Sequence, residues 1–383
     1  MTPRPDSAAR DAAVRDSTLA ALASLPGIGP RRLRVLLAHH EPAEAWAVVR
    51  RAARPHPMVA AMLAERGVGA RLPALATDGL RATMAARLVR TPMRVLVPGD
   101  AAWPAPLRHD PSPPAILFAR GDLAALDARR AGLVGTRSAT AGGRAFASHL
   151  AHGLGAAGVA VVSGLARGID GWAHRGACAA REAGAPAAPV AVVACGLDVA
   201  YPREHVDLWR RVEACGLVLS ESPPGTAPEA HRFPLRNRIL AALCEVLVVV
   251  ESRATGGAML TVGEAERRGI TVLAVPGSPR NAAAAGTNLL VSQGCAPVTD
   301  VDDVLVALGL DARRAREPAW DPRPAPDDAG ARVLAALRGA PCTLDELVAR
   351  ADAPLAEVAR ALGRLEAHGW VHHAGGWWEA LAP

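Results

Sequence analysis

Over residues 18–90 apolar positions recur at the three- and four-residue spacing of helices, in stretches rich in Ala, Leu and Arg. Within them LPGIGPRRLRVLLAHH places a Gly-x-Gly turn between two apolar helical patterns. From residue 94 the pattern changes. Short apolar runs rich in Val follow one another: RVLVPGD, AILFARG, AGLVGT, GVAVVSG, PVAVVACG, GLVLSES, EVLVVVES and TVLAVPG. Most of the later runs are separated by Ala-rich helical stretches. Short continuous apolar strands alternating with helices predict a parallel sheet covered on both faces, the mark of an α/β, Rossmann-like domain, here over 91–310. A Pro- and Asp-rich segment within 311–328 reads as a linker. The remaining residues, 329–383, show three helical patterns and then the hairpin-like WVHHAGGWWEAL, a winged-helix pattern. Residues 1–90 form the expected helical domain. Its Gly-x-Gly turn fits either a helix-hairpin-helix, whose amides meet a phosphate, or a purely structural hairpin.

Composition narrows the chemistry. Half of the 383 residues are apolar, enough for a sizeable core, and no run has the length and apolarity of a membrane span. The N-terminal MTPRPDSAARDAAVRDS has no apolar signal region. Six cysteines without a CxxC pair read as reduced residues of a cytoplasmic protein. All 43 basic residues are arginines. A Walker A loop or a Schiff base, each of which needs a lysine, is thereby excluded, and phosphate recognition falls to guanidinium forks and backbone amides. The net charge of +6 is concentrated in the N-terminal ninety residues, so anion binding in the sheet domain requires local clustering of arginines.

That clustering is visible at the expected carboxyl ends of the strands, where open parallel sheets bind ligands. GTR (135–137), SGLARG (163–168), ESR (251–253) and VPGS (275–278) each follow a strand, and HRFPLRNR (231–238) precedes the helix leading to EVLVVVES. Arg137, Arg167 and Arg253 point to one rim, with Arg236 and Arg238 nearby, and several like charges on one rim call for a multi-phosphate ligand between them. Structural pairing of Arg236 or Arg238 with Glu221 or Glu251 is the competing reading. Asp170 is expected to complement a helix N-terminus, and His174 to be packed. GTRSATAGG has the wrong spacing for GxGxxG, and HExxH, GxSxG and metal-spaced carboxylates are absent from the sequence. Binding without catalysis, cofactor or metal is what these residues support.

Several ordered motifs resemble the DNA-processing protein A family (DprA, also called Smf). They are WPAPLRHDPSPPAILFARGD (103–122), AGLVGTRSATAGG (131–143), GVAVVSGLARGIDGWAHRGA (158–177), CGLDVAYPREHVDL (195–208), LSESPPGTAPEAHRFPLRNRIL (219–240), VVVESRATGGAMLTVGEAERRG (248–269) and VLAVPGSPRNAAAAGTNLLVSQGC (272–295). The resemblance implies an extended Rossmann fold flanked by a helical domain and a winged helix, usually in a homodimer. The implied function is to bind and protect incoming single-stranded DNA and to load RecA recombinase onto it during transformation. Carried onto this sequence, the implied DNA site comprises Arg137, Ser163, Gly164, Arg167, Phe233, Arg236, Asn237 and Arg238. The chain departs from the family in RATGGAML (253–260), where a serine-glycine step is usual, and in having no lysine. A nucleotide enzyme of the phosphoribohydrolase (lysine-decarboxylase-like) type shares a similar sheet, but its PGGxGTxxE loop is not reproduced here. A winged-helix transcription factor is disfavoured by the net negative charge of 329–383.

Overall fold

The computed structural model describes residues 5–310, 321, 323–337 and 340–381, so most of the linker expected over 311–328 lies outside the described residues. The chain opens with helices α1 (Pro5–Ser24), α2 (Pro30–His39), α3 (Pro42–Val49), α4 (Pro57–Ala64), α5 (Val68–Leu75) and α6 (Asp78–Arg90). Proline at the first position starts α2, α3 and α4, where its missing N–H costs nothing, and the Thr77 hydroxyl caps α6 by accepting from Leu80 N (3.1 Å). The buried faces of these helices, with Leu19, Leu22, Leu36 and Trp46, share one apolar cluster with Ile116, Phe118, Val193 and Trp209 of the sheet layer. The N-terminal helices are thus seated on the sheet rather than tethered to it.

Nine strands form the main sheet: β1 (Arg94–Leu96), β2 (Leu117–Gly121), β3 (Arg129–Val134), β4 (Val159–Ser163), β5 (Val190–Val193), β6 (Leu217–Ser220), β7 (Val246–Val249), β8 (Thr271–Ala274) and β9 (Ala296–Pro297). Their spatial order is β1-β2-β6-β5-β4-β3-β7-β8-β9. From β6 to β9 every pairing is parallel, and the crossovers carry α7 (Ala141–Ala156), α8 (Ile169–Glu182), α9 (Val206–Cys215), α10 (Arg232–Leu243), α11 (Gly257–Glu266) and α12 (Ala285–Ser292). Helix α13 (Val301–Ala307) follows β9. Neighbouring strand residues face opposite layers: Leu133, Val161 and Val248 enter one core, and Val134, Val162 and Val249 the other. Burial on both faces is why these strands read as unbroken valine runs. Two of the runs, β1 and β2, differ from the rest in pairing antiparallel. They are followed only by single 3-10 turns, Ala105–Leu107 and Leu123–Leu126, and a parallel connection needs a crossover of about a dozen residues or more.

The C-terminal part contains α14 (Asp328–Leu337), β10 (Cys342–Thr343), α15 (Leu344–Ala351), α16 (Leu355–Ala367), β11 (Val371–Ala374) and β12 (Trp377–Ala380). It has its own core of Val333, Leu337, Leu347, Val358, Leu362 and Val371. Thr343 and Glu346 form a reciprocal capping box at α15. The wing hairpin turns on Gly375 and Gly376, both at positive φ (59° and 84°).

Candidate nucleic-acid interface

The order of strands reverses at β3: β4, β5 and β6 continue to one side of it, β7, β8 and β9 to the other. A crevice opens beyond the carboxyl end at such a point. Three loops meet there, after β3 (135–137), β4 (164–168) and β7 (250–256). They are stitched through the backbone: Thr136 N donates to Glu251 O (2.7 Å), and Ile169 N to Thr136 O (3.2 Å). Gly168, at φ 72°, lets its loop pass against the Thr136 carbonyl, where any side chain would overlap that oxygen.

Two buried carboxylates finish the stitching. Asp170, on the first turn of α8, accepts from the backbone of Ala166 and Gly135. Burial raises its pKa, and neighbouring Arg236 opposes the shift. Glu251 accepts from Thr140 N (2.9 Å) and Thr140 Oγ1 (2.5 Å) at the start of α7. Both acids therefore shape the loops. His174, one turn along α8 from Asp170, is fully buried, and burial pushes its pKa down to about 3, so it packs as a neutral ring.

Above this layer lies a cavity of about 590 Å³, lined by Gly135, Arg137, Asp170, Tyr201, Phe233, Arg236, Asn237, Arg253 and Leu260, among others. Arg236 forms its floor. The guanidinium is buried and donates to Gly164 O (2.9 Å), to Val192 O and to Asn237 Oδ1 (3.2 Å), while burial lowers its pKa against the pull of Asp170. Gly164 is needed beneath it, because a side chain there would collide with the Arg236 guanidinium. At the mouth, Arg137 is exposed and stands over the Phe233 ring, 4.7 Å from its centroid. Tyr201 tilts toward the same ring at 6.1 Å. Arg253 is exposed on the opposite loop. Among the described residues neither Arg137 nor Arg253 is within ion-pair distance of a carboxylate.

The structure brings together Arg137, Phe233, Arg236, Asn237 and Arg253, with Gly164 behind them, and sets three of the expected residues apart. Ser163 ends β4, and its buried hydroxyl donates to Leu133 O (2.6 Å), so the side chain is spent inside the sheet. Arg167 is exposed outside the cavity and paired with Glu204. Arg238 grips Glu221 with both carboxylate oxygens (2.6 and 2.5 Å) and donates to Ser112 O (2.9 Å), which corrects its expected place on the rim. The reason is helical geometry. FPLRNR was expected to precede the helix but lies within α10, where residues two apart point about 200° away from each other. Phe233, Arg236, Asn237 and Leu240 share the cavity face, and Arg238 turns from it.

Sequence reasoning missed Tyr201, although the signal was present: it is the only tyrosine in the chain and sits inside one of the family motifs. The PGIGP turn does not border this cavity. It lines a second cleft of about 740 Å³, across the first turn of α10, where Arg87 is held by Asp198 (2.8 Å). Among the described residues no group of three or more His, Cys, Asp or Glu side chains is placed to hold a metal, and no helix is long and apolar enough to cross a membrane.

A doubly wound parallel sheet with an arginine-lined crevice at its switch point, preceded by a helical bundle and followed by a winged helix, defines the class. Residues 94–309 match the DNA recombination-mediator protein A family and residues 315–376 the DprA winged helix domain, and the chain belongs to that family. A Mycobacterium tuberculosis protein named for DNA processing (DprA) is 37% identical over 318 residues, covering 77% of this chain and 78% of its own. Protein Smf of Synechocystis is 30% identical over 72% of this chain and 77% of its own. The X-ray structure of DNA processing protein A from Streptococcus pneumoniae superposes with a TM-score of 0.60 at 28% identity, covering 74% of this chain and 95% of that one.

Proposed function

We propose that this chain binds single-stranded DNA through the switch-point cavity and acts without catalysis, shielding the strand and passing it to RecA recombinase in transformation or recombination. The observation that carries this reading is Arg137, held on Phe233 beside Tyr201 and facing Arg253, with its charge unanswered by any carboxylate in ion-pair contact. Guanidinium edges take backbone phosphates, and exposed ring faces stack on bases at about 1–3 kcal/mol each with little sequence preference. Paired bases in a duplex offer no such face. Arg236 supplies positive potential from below, and Asn237 adds a polar edge. The one carboxyl lining the cavity, Asp170, is engaged with loop amides, which supports binding rather than hydrolysis of a nucleotide. RecA and a second copy of the chain are proposed as partners on the family resemblance, and the cytoplasm as the place of action. The labour is divided among 1–90, 91–310 and 329–383, with the sheet domain holding the strand.

Fluorescence anisotropy of labelled oligo-dT and a matched duplex, at two salt concentrations, tests the proposal. Preference for the single strand, weakened by salt and lost in Arg137→Ala/Arg253→Ala, is expected. Equal binding of duplex, indifferent to both substitutions, would refute it. Release of free base from nucleoside monophosphates would instead make the chain an enzyme.

A further inference from the structure

A second group of unanswered cations lies beside the cavity, and its meaning rests on the reading above that the cavity takes a nucleic-acid strand. Thr140 caps α7 three residues after Arg137, and α8 starts directly after the SGLARG loop, so both helices begin at the crevice. On their first two turns Arg144 and Arg175 flank Trp172, with guanidinium carbons 5.9 and 5.0 Å from the ring centroid. Among the described residues neither has a carboxylate within ion-pair distance, whereas Arg167 and Arg211 are paired with Glu204 and Glu182. An aromatic face fixes a guanidinium through its centre and leaves N–H edges free for an anion. Arg137 on Phe233 uses the same device. Half-buried Arg175 also feels the like charge of Arg211, and both burial and that charge lower its pKa, so an arriving anion relieves repulsion already present.

We infer that Arg144, Trp172 and Arg175 form a second phosphate-binding subsite, which takes the backbone of a single strand too long for the cavity alone. The test compares an oligo-dT of roughly four nucleotides with one of about twenty, in wild type, Arg144→Ala/Arg175→Ala and Arg137→Ala. The double variant should bind the short strand like wild type but the long one about tenfold more weakly, with its salt slope smaller by about 1.4, two phosphates at about 0.7 each. Long-strand affinity and slope left unchanged, while Arg137→Ala weakens both strands, would overturn the subsite and leave the cavity reading intact. If Arg137→Ala changes nothing while the double variant still weakens the long strand, the cavity reading falls and this surface remains the contact. Circular dichroism and melting of each variant exclude misfolding as the cause.

An independent observation concerns two thiols. Cys178 on α8 and Cys215 at the end of α9 have sulfurs 3.4 Å apart, with Cys178 buried and Cys215 partly exposed. Their hydrogen bond lowers the pKa of Cys215 and raises that of Cys178, leaving the outer sulfur as the nucleophile. The opposite ends of these helices hold the crevice loop, with His205 Nδ1 donating to Leu165 O (3.0 Å) and Glu204 pairing with Arg167. The geometry points to a peroxide-driven disulfide between Cys178 and Cys215 that fastens α8 to α9 behind that loop. The Cys215 thiolate attacks hydrogen peroxide, giving a sulfenic acid and hydroxide, which takes up the thiol proton as water. The Cys178 sulfur then displaces the sulfenic oxygen, which leaves as a second water, so two thiols and one peroxide give one disulfide and two waters. On peroxide treatment, thiol counting should show two of the six thiols lost, and mass mapping should find 178 linked to 215. An undiminished count, or loss mapped to other cysteines, would overturn it.

Discussion

Two groups of arginines flank helix α10 and do opposite work. On the cavity side Arg137 rests on an aromatic ring, exposed and without a counter-charge in contact. On the far side Arg238 is buried against Glu221 and Ser112, while Arg268 is buried against Asp110 and Glu264. These last two arginines clamp the loop spelled RHDPSPP, so this part of the family motif is explained by folding and not by ligand binding. A guanidinium is available to a ligand only where the protein has not already satisfied it. Residue type and motif membership do not decide that; the face of the helix does.

The largest effect expected from this contrast is on stability. Arg238→Ala leaves the Glu221 carboxylate buried and alone, and breaking such a pair costs about 3–5 kcal/mol. Denaturant unfolding should show that loss, while protein still folded should bind oligo-dT as wild type does. A selective loss of affinity at unchanged stability would move Arg238 back to the rim.

Burial has another answer, which is to carry no charge. His174 is neutral in the fold with a pKa of about 3, against an unfolded value near 6.5. For a base with a depressed folded pKa, the unfolded chain takes up the proton first as pH falls. Its contribution is therefore intact above the unfolded pKa and is lost progressively from about pH 6.5 down toward 3. Between pH 7 and pH 5 the loss amounts to about 2 kcal/mol. Unfolding at the two pH values checks this, with His174→Leu expected to flatten the difference.

What could be read in advance follows the same physical divide. The strands β3, β4, β5 and β7 were legible because burial on both faces leaves only apolar residues in them. Strand direction leaves no such trace, and β1 and β2 read like their parallel neighbours. The loops that build the cavity were legible from glycines and arginines at strand ends. Which arginine of FPLRNR faces it was not, because that depends on where α10 begins. Had the helix been started at Arg232, the spacing of Phe233, Arg236 and Asn237 would have set Arg238 aside.

Affinity changes rank below these stability effects. Arg137→Ala should leave stability within about 0.5 kcal/mol and lower oligo-dT affinity about tenfold, near 1.4 kcal/mol, with a salt slope smaller by about 0.7. Anisotropy and thermal melting on one preparation separate the two quantities. A large loss of stability would show that Arg137 belongs with Arg238 as a structural residue.

Arg167 should show the smallest effect and divides the two groups most finely. It is exposed like Arg137 yet paired like Arg238, on Glu204. An anion must compete with that carboxylate for its N–H edges, so Arg167→Ala is expected to weaken binding less than Arg137→Ala does. Its loss from a solvated pair should shift the melting temperature little. Glu204→Gln sharpens the test. Removing the competing charge should strengthen oligo-dT binding in the wild-type background and have no effect when Arg167 is already alanine. Equal strengthening in both backgrounds would mean that Glu204 merely repels the strand, and that Arg167 takes no part in holding it.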